Sequence, residues 1–160
     1  MTIRYFKPAW LLCIAILFVT PHAIAQTLDT ALALPDRLLF TISGGYWTKN
    51  AEEDGNQTQE RGYYRLSAFR DLDNTSVLFL QKIALTDDGP KEDFTIEIEE
   101  MADLNAYITD MRPENSTGSV SGTGFAAYIY LKMDPKDVEP ETYSLYIDDL
   151  ENIYLEPASN

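Results

Sequence analysis

The residues best suited to covalent and metal chemistry lie at one end of this chain. Its single cysteine is Cys13 and its single histidine is His22. Both precede Ala23-Ile24-Ala25, a small-residue pattern at which an export peptidase cuts. Cleavage after Ala25 leaves a mature chain with neither side chain. That excludes disulfides, thiolate or imidazole zinc sites, thiol nucleophiles and any Ser-His-Asp triad. What remains is carboxylate, hydroxyl, amine and aromatic chemistry.

Three arrangements of those groups stand out. Asp71, Asp73 and Asn74 fall in one turn, and Asp148, Asp149 and Glu151 in another. Oxygen-rich turns supply part of a calcium shell, which takes six to eight oxygens. The spacing from Asp71 is not an EF-hand loop, since Ser76 and Lys82 stand where that loop needs glycine and a bidentate carboxylate. Asp and Asn also close turns on their own backbone, and that reading is favoured. Paired carboxylates are the second arrangement. Glu97 and Glu99 share a strand face, and two acids are enough for glycoside hydrolysis, but 26 acidic residues leave that pair unselected. The third is aromatic. Tyr46, Trp47, Tyr63, Tyr128, Tyr130, Tyr146 and Tyr154 can form a platform with one polar end per ring. Trp47, Tyr63, Tyr128 and Tyr130 are the ligand-binding candidates.

The first 25 residues read as a signal peptide. Arg4 and Lys7 precede the apolar run from Leu11 to Val19, which Pro21 ends. A run of that length is far short of the roughly 20 residues needed to span a bilayer. The expectation is a periplasmic or secreted bacterial protein, with residues 26–36 as a linker and 37–160 as one domain. No transmembrane segment is expected after cleavage.

Two of the 12 basic residues leave with the signal, so ten face 26 acidic ones and the mature net charge is −16. Such a chain repels phosphate backbones, which argues against nucleic acid. It suits a protein partner in the envelope, with a glycan as the alternative. No cofactor is called for beyond the calcium option.

Between the turns the chain alternates with period two. Phe125, Ala127, Ile129 and Leu131 oppose Tyr128, Tyr130 and Lys132, and Tyr143, Leu145 and Ile147 repeat the pattern. Phe94, Ile96 and Ile98 are placed inward on the same grounds. Ser76 to Thr86 reads as a central strand buried on both faces near Val77 to Leu80. Glu100 to Met111 fits either a helix, on the stripe Met101, Leu104, Ile108 and Met111, or a helical turn near Glu100 to Asp103 followed by a strand, which is slightly favoured. Lys49 to Glu60 and Glu114 to Gly124 read as loops. Seven or eight short strands predict an all-β, mainly antiparallel fold: a β-sandwich of jelly-roll type, or alternatively a small barrel.

The segment Ser144-Leu145-Tyr146-Ile147-Asp148-Asp149-Leu150 resembles the closing strand of carbohydrate-binding jelly-roll modules. That likeness covers seven residues and implies a glycan-binding sandwich without marking a site. The leading expectation is a non-catalytic binding or envelope-accessory domain. A carbohydrate-binding module and a carboxylate-based hydrolase are the alternatives.

Overall fold

The computed structural model describes residues 30–53, 56–114, 124–148 and 150–158. Residues 1–29, with Cys13 and His22, lie outside them, as do Asp149 and most of the Glu114 to Gly124 segment. Residues up to Leu34 form a unit separate from Pro35–Asn160. In the described part of the first, residues 30–32 make one helical turn. No described helix is long and apolar enough to cross a membrane.

The larger unit holds two four-stranded antiparallel sheets. The first runs β1 (Leu38–Glu53), β2 (Asn56–Arg70), β3 (Ser76–Thr86) and β4 (Gly89–Glu97). The short helix α1 (Glu99–Asp103) leads to the second sheet, made of β5 (Tyr107–Pro113), β6 (Phe125–Lys132), β7 (Glu141–Ile147) and β8 (Ile153–Pro157). Neither sheet closes into a barrel, so the fold is sandwich-like. Each sheet is a simple meander in chain order, without the Greek-key crossing of a jelly roll.

The core lies between the sheets. Leu66, Leu78 and Leu80 from the first meet Ile129, Leu131 and Leu145 from the second, all fully buried in one cluster. At about 25 cal/mol per Å² of apolar surface, each such side chain contributes roughly 2 kcal/mol on burial. One backbone pair stitches the sheets at a corner: Tyr46 N–H donates to Gly124 O (3.2 Å) and Gly124 N–H to Tyr46 O (2.9 Å).

Three expectations need correction. Lys49 to Glu60 is no loop: its residues pair across β1 and β2 from Lys49↔Glu60 to Glu53↔Asn56, leaving Asp54-Gly55 between them. Backbone pairing asks nothing of side-chain polarity, so a polar ribbon forms. In β3, Val77 and Phe79 are half-buried, and only Leu78 and Leu80 of this stretch join the cluster between the sheets. In β4, Ile98 beyond its end is buried, but Phe94 is half-buried and Ile96 is 37% exposed. The register Leu80↔Ile96 and Lys82↔Phe94 puts both on the core side, at an edge where nothing among the described residues covers them fully.

Candidate functional site

The outer face of the second sheet carries a tyrosine band. Because β6 and β7 bury Phe125, Ala127, Ile129, Leu131, Leu145 and Ile147, the alternate residues face outward. Register then joins the rings. Tyr146 lies opposite Tyr154 and the two stack at 4.7 Å between ring centres, 17° from parallel. Tyr128 lies opposite Ser144, one diagonal step from Tyr146, and Tyr130 follows two residues along the same strand. Each of the three inner rings faces a small neighbour across the ladder (Ala126, Ser144 or Thr142). The three rings are half-buried.

Polar groups border the band. Arg112 lies opposite Tyr128, with its guanidinium 5.3 Å from the Tyr130 ring centre and 2.7 Å from the Asp110 carboxylate. Tyr128 Oη donates to Glu114 Oε1 at 3.2 Å, which holds its phenol above the usual range. Glu156 pairs across from Ser144. The Tyr146 phenol is also raised, first by partial desolvation and then by the charge of Glu156.

The four aromatic candidates do not form one site. Tyr128 and Tyr130 belong to this band. Tyr63 lies half-buried in β2 of the other sheet. Trp47 is 4% exposed and part of the core. The register Trp47↔Gly62 explains this, since a glycine opposite leaves a slot for the indole. No local signal in β1 announces that slot.

Sequence reasoning missed the surroundings of Trp47. Lys82, buried in β3, places its ammonium 4.3 Å from the Trp47 ring centre and 5.9 Å from that of Phe94. Its ionic partner is Glu151, on the turn between β7 and β8, so the pair bridges the two sheets. Burial, and then the Glu151 charge, push the Tyr64 phenol up to about 12. Trp47 Nε1 is buried without a hydrogen-bond partner.

The described aspartates of the acidic turns are taken up by neighbouring protein groups. Asp73 Oδ1 accepts from Thr75 N–H and Oγ1–H, and these bonds lower its pKa. Asp71 Oδ1 accepts from Leu72 N–H and pairs with Arg37 at 2.8 Å. Asn74 takes φ 72°, the left-handed turn conformation that Asn tolerates. Asp148 accepts from Leu150 N–H and from the backbone and side chain of Asn152, which lowers its pKa. Among the described residues no three acidic, histidine or cysteine side chains gather as a metal would require. Glu97 and Glu99 are both exposed, on β4 and at the start of α1.

No family model, no curated protein and no solved structure matches this chain.

Proposed function

We propose that this chain is a non-catalytic binding domain, exported to the periplasm, that holds its ligand on the outer face of the second sheet. The row of outward tyrosines formed by Tyr130, Tyr128, Tyr146 and Tyr154 carries this reading. Tyrosine gives large, stiff contact area with a polar tip, which suits a surface that is wet when free and covered when bound. The signal-like first 25 residues support export. The lack of histidine and cysteine beyond residue 25 supports binding over catalysis. The expectation of a protein partner rests on overall acidity, which the band shares: Asp110, Glu114, Asp148 and Glu156 border it against Arg112 and Lys132.

The test is retention of the mature protein on the insoluble envelope fraction of its own cells. Tyr128→Ser with Tyr146→Ser should abolish retention. Arg65→Ser with Gln81→Ser, on the outer face of the first sheet, should not. Equal retention of both variants would overturn the reading. So would turnover of a glycoside or ester substrate that a carboxylate substitution abolishes.

A further inference from the structure

We propose that the partner held on the tyrosine row is a polypeptide segment rich in lysine or arginine. This rests on the preceding reading of the face as a binding surface, and names the chemistry of its occupant. The face contains its own small version of the contact. The Arg112 guanidinium lies 5.3 Å from the Tyr130 ring centre and 2.7 Å from the Asp110 carboxylate. A ring and a carboxylate together hold one cation there, by cation–π attraction and a charge-assisted hydrogen bond.

The same pairing of phenol and carboxylate recurs along the row. Tyr128 Oη donates to Glu114 Oε1 at 3.2 Å. Tyr154 bonds Asp148, and the charges of Glu156 and Asp148 both bear on the Tyr146 phenol. Among the described residues no lysine or arginine forms an ion pair with Glu114, Asp148 or Glu156. Basic side chains of a partner would complete these pairs as Arg112 completes the first. Glu114 and Glu156 are exposed, so reaching them does not depend on an uncovered ring face.

Charge is also divided unevenly along the chain. Residues 37–97, which build the first sheet, hold 11 acids against seven bases, a net of −4. Residues 98–160, with α1 and the second sheet, hold 13 acids against three bases, a net of −10. Acidic connections flank the row at both ends: Asp134, Asp137 and Glu139 follow β6, and Asp148 follows β7. A cationic chain is therefore drawn to this half, and the tyrosines fix where on it the chain lies. A second copy of this protein does not meet the requirement, since its less acidic half is still net negative.

The experiment adds the mature protein to the insoluble envelope fraction after treatment with proteinase, which removes polypeptide, or periodate, which destroys sugars. Retention should be lost after proteinase and survive periodate. It should fall at least about tenfold when salt is raised from about 50 mM to about 300 mM. A short synthetic peptide alternating lysine and glycine should compete, and its glutamine counterpart should not. Glu114→Gln with Glu156→Gln should weaken retention about three- to tenfold. Asp93→Asn with Glu97→Gln removes the same charge from the first sheet and should change it less than about twofold. Retention that survives proteinase, withstands salt, or weakens equally with both pairs of charge substitutions would overturn the cationic segment while leaving the binding face intact. Retention that ignores Tyr128→Ser with Tyr146→Ser, or is absent in the unaltered protein, would overturn the binding face itself.

Discussion

Lys82 holds its ammonium over the Trp47 indole, 4.3 Å from the ring centre, inside the sandwich. A charge with a 6% exposed side chain needs compensation, and Glu151 supplies it from the opposite sheet. Removing one partner of a buried pair leaves an uncompensated charge, whereas an apolar replacement of like shape is close to neutral. Glu151→Gln should therefore cost about 1–3 kcal/mol, at the low end because Glu151 itself is half-exposed. Lys82→Met should stay within about 1 kcal/mol of the parent. Urea unfolding midpoints of both variants check this order, and a Glu151→Gln protein as stable as the parent would contradict it.

Tyr64 sets an alkaline limit. Its phenol ionises at about 12 in the folded protein against 10.0 when free. Below pH 10 both states hold the proton and stability is unaffected. Above it the unfolded chain releases the proton while the fold retains it, so stability falls as pH rises from about 10 to about 12. The loss reaches about 2–3 kcal/mol at the top of that window. Tyr64→Phe should flatten the decline, measured as melting temperature across alkaline buffers.

Two glycines should separate sharply. A Cβ at Gly62 would run into the Ile83 carbonyl oxygen and, at 2.8 Å, the Trp47 ring. Gly62→Ala should cost more than about 3 kcal/mol or prevent folding. At Gly89 a Cβ meets nothing, and only its φ of +110° opposes a side chain. Gly89→Ala should cost about 1–2 kcal/mol. Soluble yield and chemical denaturation distinguish them.

Neighbours in β7 should split stability from binding. Leu145 is fully buried, and Leu145→Ala should cost about 2–5 kcal/mol. Tyr146 faces outward and mainly stacks on Tyr154. Tyr146→Ser should cost about 1 kcal/mol of stability while removing most of the envelope retention. Comparable stability losses from both would place Tyr146 in a structural role.

The sequence displayed the core strands because burial on one side imprints a period of two. Phe125 to Leu131 and Leu145 to Ile147 were legible for that reason. The same rule pointed Ile96 the right way but overstated its burial, since alternation records which way a residue points and not whether anything covers it. It also passed over Lys49 to Glu60, whose pairing runs through the backbone. Tyr128 and Tyr130 could be placed outside from alternation alone, but their alignment with Tyr146 and Tyr154 depends on register between strands. Trp47 and Lys82 were illegible: one sits in a slot made by Gly62 on another strand, and the other takes its counter-ion from a turn 69 positions away.

The two-meander arrangement also has a temporal side. During synthesis the whole first sheet, residues 38–97, exists before any strand of its mate. It can zip up from adjacent hairpins at once, yet Leu66, Leu78 and Leu80 then face water. Their cover comes largely from β6 and β7, finished about fifty residues later. At ordinary translation rates that interval is about 3–10 seconds. A first sheet that closed in that interval would be a half-sandwich with a bare apolar face, so solubility during synthesis depends on keeping that half unfolded or shielded until β6 and β7 exist.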